Sequence, residues 1–86
     1  PPSITLFWMP LAGSKAYAIE RSLSKRSGPF EQIAQLPGDA STYVDNSSAL
    51  KSNTTYYYRV MFRGNESVRS TPMGVTTLPL VAAEKE

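Results

Sequence analysis

Apolar and polar positions alternate along several short stretches of this chain, most regularly from Thr55 to Arg63. Tyr56, Tyr58, Val60 and Phe62 fall on one side there, and Tyr57, Arg59, Met61 and Arg63 on the other. A period of two marks a half-buried strand, so the stretch predicts the central strand of a sheet. The same reading gives a strand over Ile4 to Met9, with Ile4, Leu6 and Trp8 on one face and Phe7 and Met9 on the other. A further strand is predicted from Lys15 to Ser22, where Tyr17 and Ile19 oppose Ala18 and Glu20.

Breakers divide the rest. Ser24 to Pro29 reads as a surface connection, and Phe30 to Leu36, bounded by Gly-Pro and Pro-Gly, is too short for a comfortable helix and predicts an edge strand. Pro37-Gly38-Asp39 predicts a turn, Ser41 to Asp45 a brief strand, and 46–53 a polar crossing anchored by Leu50. Gly64-Asn65-Glu66-Ser67 predicts another turn, and Pro72 to Leu78 a last strand. Short strands with frequent turns and no convincing helix point to an all-β antiparallel sandwich. Residues 1–79 form the module on this reading, and 80–86, rich in Ala and Glu, a linker or C-terminal tail.

Composition narrows the chemistry. With 86 residues the chain holds one domain, which buries only roughly 60% of its unfolded surface. It has no cysteine and no histidine, so neither disulfides nor the usual zinc and copper ligands can staple it. The core must carry the stability, and 41% hydrophobic residues with nine aromatics, one Trp, five Tyr and three Phe, suffice for one. A formal charge of +2, with Lys and Arg scattered from Lys15 to Lys85, gives no basis for nucleic-acid binding. No apolar run approaches the roughly 20 residues of a membrane helix, so no membrane insertion is expected. Pro1-Pro2-Ser3 does not open a signal peptide, and an export signal is expected to have been removed or to lie upstream.

Acid–base and nucleophilic catalysis draw on His, Cys or closely set carboxylates. Here Glu20, Glu31, Asp39, Asp45, Glu66, Glu84 and Glu86 are spread over separate segments. No catalytic, cofactor or metal site is expected. The outward stripe Tyr57, Arg59 and Met61 carries residue types enriched in interface cores, and Phe7 and Met9 form a second outward pair. Both are candidate partner surfaces, although a wet sheet face carries such residues too. Sugar binding by stacking is disfavoured because Tyr57 stands almost alone. Asn46, Asn53 and Asn65 each head an Asn-x-Ser/Thr sequon and are candidate N-glycosylation sites.

From Ile4 to Pro79 the chain resembles the fibronectin type III family. Ile4-x-Leu6-x-Trp8 resembles that family's second strand with its buried Trp, and Tyr17-x-Ile19-x-Arg21 its third. Leu50-x-Ser52-x-Thr54-x-Tyr56 is similar to its loop and tyrosine corner, and Glu66-Ser67-x-x-Ser70-x-Pro72 with Val75-x-Thr77 to its last turn and strand. Ser52 stands where the family often has Pro, and only three residues precede the second-strand pattern. The resemblance thus implies an immunoglobulin-like two-sheet antiparallel β-sandwich whose first strand is missing or truncated. It implies a structural core of Trp8, Tyr17, Ile19, Leu50, Tyr56, Tyr58 and Val60. A lost first strand would leave the Ile4–Met9 strand an edge that invites another segment. Arg63-Gly64-Asn65 lacks the carboxylate of the family's integrin-binding Arg-Gly-Asp.

Ser27-Gly28-Pro29-Phe30 and Thr54 to Tyr58 look most like modules of secreted bacterial polysaccharide-degrading enzymes. The implied function is a non-catalytic accessory module, a spacer or structural support in a larger secreted multidomain protein, with a carbohydrate-active enzyme as the favoured host. The alternative is an ectodomain module of a eukaryotic adhesion protein or receptor that binds a protein. Both place it extracellularly, with neighbouring domains or another protein as partners.

Overall fold

Among the described residues seven strands form where β-branched and aromatic residues crowd together: β1 (Ile4–Phe7), β2 (Ala16–Ser22), β3 (Glu31–Pro37), β4 (Thr42–Asp45), β5 (Thr55–Arg63), β6 (Ser67–Arg69) and β7 (Met73–Thr76). The computed structural model describes residues 2–64 and 67–79; Asn65, part of the expected 64–67 turn and the 80–86 tail lie outside them. The described residues contain no helix. β1 and β4 make one antiparallel sheet, and β3–β2–β5–β6 the other, with β7 pairing β5 further along. The fold is therefore all-β and sandwich-like, and among the described residues no strand precedes β1.

Two predicted strands need correction. β1 ends at Phe7 rather than Met9; Trp8 still donates its N–H to the Ser41 carbonyl at 3.0 Å, but Pro10 has no N–H for a ladder and the chain leaves the sheet before it. The last strand, β7, lies within Pro72 to Leu78 but ends at Thr76, and a short further strand, β6, precedes it. Met61 pairs with Arg69, and Tyr58 with Met73, so three residues, Ser70 to Pro72, oppose two, Arg59 and Val60. This one-residue surplus is a bulge, stabilised by Ser70, whose N–H donates to the Val60 carbonyl while its Oγ accepts from the Val60 N–H, both at 2.9 Å.

The core lies between the sheets and is built from Ile4, Leu6, Ile19, Leu50, Tyr56 and Tyr58. Tyr17 is buried beside it, its ring centroid 5.5 Å from Trp8 and 6.2 Å from Phe62. Two residues expected in the core, Trp8 and Val60, are only half-buried. The reason is width: two strands cannot cover a sheet four columns across, and the inward Val68 and Met73 are each 51% exposed.

The β4–β5 crossing is pinned by Tyr56, whose phenol oxygen accepts from the Lys51 N–H at 2.7 Å and donates to the Ala49 carbonyl at 3.5 Å. Asn53 takes the left-handed turn the crossing requires, at φ 54°, a conformation Asn tolerates better than most residues. Tyr56→Phe removes both bonds and is expected to lower stability by about 0.5–1.5 kcal/mol. A urea midpoint unchanged from the parent would mean that the hydroxyl does not hold the crossing.

Candidate interaction surfaces and the buried charge clusters

Three places in the fold bring chemistry-bearing side chains together. The first is between the sheets. Arg21 continues the inward face of Tyr17 and Ile19 along β2, and Asp45 shares the inward face of β4 with Tyr43. An arginine on an inward face requires a buried partner. Asp45 provides it: Oδ2 accepts from Arg21 Nη1 at 2.8 Å and from the Tyr58 hydroxyl at 2.6 Å. Oδ1 accepts from the Ser47 N–H at 3.2 Å, and Arg21 Nη1 also reaches Ser47 Oγ at 2.8 Å. The Arg21 and Asp45 side chains are 6% and 2% exposed, so this clamp ties the two sheets together inside the protein.

Burial works against the Asp45 charge, but the hydrogen bonds from Tyr58, Arg21 and Ser47 outweigh it and hold the carboxyl below its ordinary range. Burial and the adjacent Asp45 carboxylate push the Tyr58 phenol well above its usual value.

The second cluster lies on the outer face of the larger sheet. Glu20 on β2 faces Arg59 on β5, and its Oε1 accepts from Arg59 Nε at 2.6 Å and from Arg69 Nε at 2.9 Å. Arg69 reaches Glu20 from β6, so its side chain must cross β5 close to Met61, its cross-strand neighbour. The hydrogen bond from Arg69 holds the Glu20 carboxyl low, and Arg59 adds to it against the cost of burial. Arg59 also stacks on Phe30, 3.9 Å from its ring centroid, and Arg26 lies 5.4 Å from that of Tyr57 while donating to the Pro72 carbonyl.

These contacts occupy the outward stripe of Tyr57, Arg59 and Met61. Met61 is 4% exposed, screened beneath the Arg69 crossing, while Tyr57 and Arg59 are half-buried and engaged by Arg26, Phe30 and Glu20. Phe7 and Met9 do lie open, at 74% and 84% exposure.

The third place is the pole of the sandwich beyond the end of β1. Trp8, Leu11, Tyr17, Phe62 and Val68 line a groove of about 190 Å3, closed on one side by the 9–15 loop, which Tyr17 straps down by accepting the Leu11 N–H at 2.8 Å. Among the sequon asparagines, Asn46 and Asn53 are exposed, and Asn65 lies outside the described residues.

Matched against models of known protein families, the chain finds none that fits, and no curated protein matches it either.

The clusters set a pH profile. Asp45 and Glu20, with carboxyls lowered in the fold, contribute stability present above their unfolded values near ~4 and lost as pH falls through their folded values. Tyr58, raised in the fold, contributes fully below about 10 and loses that contribution as pH climbs past it. The urea midpoint is therefore expected to be level from about pH 5 to 9 and to drop on both sides. In Tyr58→Phe the alkaline drop should shrink; an undiminished one would assign it to other groups.

Proposed function

We propose that the chain is a non-catalytic accessory module of the fibronectin type III kind, lacking or displacing its first strand. It serves as a spacer or structural support within a larger secreted multidomain protein, with a carbohydrate-active enzyme as the favoured host. One observation carries the non-catalytic reading: the best-placed carboxylates, Asp45 and Glu20, are both neutralised by arginine and held low. A glycosidase acid needs the reverse, a carboxyl raised so that it holds a proton near neutral pH.

The test is to excise residues 1–79 from the host polypeptide. Loss of thermal stability or of domain spacing with kcat on a soluble substrate unchanged supports the proposal; a tenfold fall in kcat per folded enzyme contradicts it. The second reading, an ectodomain module of an adhesion protein or receptor, is favoured by the exposure of Asn46 and Asn53, each open to a glycan. The flanking polypeptide separates the two: a hydrolase domain supports the first, and a transmembrane helix with further modules the second.

A further inference from the structure

Four arginines that stand far apart in the sequence meet on the outer face of the larger sheet. Arg59 and Arg63 project from β5 on the side of Tyr57 and Met61, and Arg69 from β6 opposite Met61. Arg26 comes over from the β2–β3 connection and lies 5.4 Å from the Tyr57 ring centroid. Among the described residues the strands of this face bring one carboxylate to it, Glu20, which accepts from Arg59 and Arg69 together. Four guanidinium groups against one carboxylate leave three positive charges in excess, more than the +2 of the whole chain.

These charges are strung out along one strand. β5 rises about 3.4 Å per residue, so Tyr57 to Arg63 spans about 20 Å. Arg26 stands at one end of that span, Arg59 and Arg69 over its middle and Arg63 at the other end. Arg63 is exposed, and the Arg69 side chain is 46% exposed. A guanidinium carries five N–H donors, and Glu20 takes one from Arg59 and two from Arg69. Donors therefore remain along the whole strip for a further anion.

The surroundings select which anion fits. An extended acidic peptide is recognised chiefly by pairing with a strand edge, whereas this strip is the face of strands already paired. A single-stranded nucleic acid needs open rings on which to stack its bases. Here Tyr57 carries Arg26 and abuts Gly74, and Phe30 carries Arg59 and abuts Gly28. A charged polysaccharide needs neither an edge nor a ring. Its carboxylates suit the planar guanidinium fork, as Glu20 already does, and its hydroxyls can meet Gln32 and Gln35, which β3 exposes on this same face beside Glu20 and Ala18.

We propose that the outer face of the larger sheet binds a linear polysaccharide bearing carboxylates, a polyuronate, laid along β5. The polymer is held by charge and hydrogen bonds, a route distinct from ring stacking. Its role, holding such a polymer for the host, rests on the accessory-module reading above; the binding itself rests on the strip.

Affinity electrophoresis of the chain in gels containing polygalacturonate or alginate tests this, with dextran as the neutral control. Both polyuronates should retard the chain and dextran should not, and binding should weaken at least tenfold between about 20 and 200 mM salt. Arg63→Glu, at an exposed position outside the Glu20 cluster, should weaken binding at least fivefold with the urea midpoint unchanged. Lys51→Glu makes the same kind of charge reversal on the β4–β5 crossing and should leave binding as it is. No retardation, retardation indifferent to salt or to Arg63→Glu, or an equal loss in Lys51→Glu overturns the proposal. So does equally strong retardation by poly-glutamate or single-stranded DNA at the same charge concentration, or binding to a sulfated polysaccharide alone. The flanking polypeptide is tested separately: polyuronate binding beside a neighbour that is not carbohydrate-active upholds the strip and removes the host, and no binding beside a carbohydrate-active one removes the strip alone.

Discussion

Asp45→Ala is expected to destabilise the domain by about 3–5 kcal/mol, because it strands the buried Arg21 guanidinium without its counter-ion. The Tyr58 hydroxyl loses its acceptor in the same step. Total stability of a small domain is of order 5–10 kcal/mol, so the variant should be largely unfolded in modest urea. Arg21 sits deep, at 6% exposure, which leaves little scope for water to compensate. The double variant Arg21→Met with Asp45→Leu removes both charges and should recover much of the loss, since well-packed apolar replacements of buried ion pairs are often neutral. Chemical denaturation of the three variants against the parent checks this. A single variant within 1 kcal/mol of the parent would show that water reaches the pair.

Tyr17→Ala should cost about 3–5 kcal/mol by opening a cavity between Trp8 and Phe62. Tyr17→Phe keeps the ring and loses only the acceptor for the Leu11 N–H, so a cost of about 1 kcal/mol is expected. The two together separate packing from strapping. Equal losses would mean that the loop bond, rather than the ring, carries the contribution.

Much of this was legible in the alternation of residues. β5 has the bounds that Thr55 to Arg63 predicted, Tyr17, Ile19, Tyr56 and Tyr58 are buried where the period turns them inward, and Leu50 is buried as the anchor of the 46–53 crossing. The clamp left a trace as well. Arg21 falls on the same side as Tyr17 and Ile19, and Asp45 on the same side as Tyr43, so an inward Arg and an inward Asp stood on strands of the two different sheets.

What escaped depends on how wide each sheet is and on where side chains cross it. Alternation assigns Trp8 and Val60 to the inner face correctly, but their exposure depends on whether a strand lies above them. Alternation turns Met61 outward, yet it is buried, because Arg69, its cross-strand neighbour eight positions along the chain, reaches across β5 to Glu20. The bulge at Ser70 to Pro72 hid β6, since it breaks the period in the middle of one strand.

The central claim is that the carboxylates best placed for chemistry serve the architecture instead. A carbon-13 titration of the Asp45 and Glu20 carboxyls tests it most directly. Both should titrate below their model-peptide positions of about 3.9 and 4.3. Either one titrating above its reference, in the range where an acid catalyst holds its proton, would contradict the account.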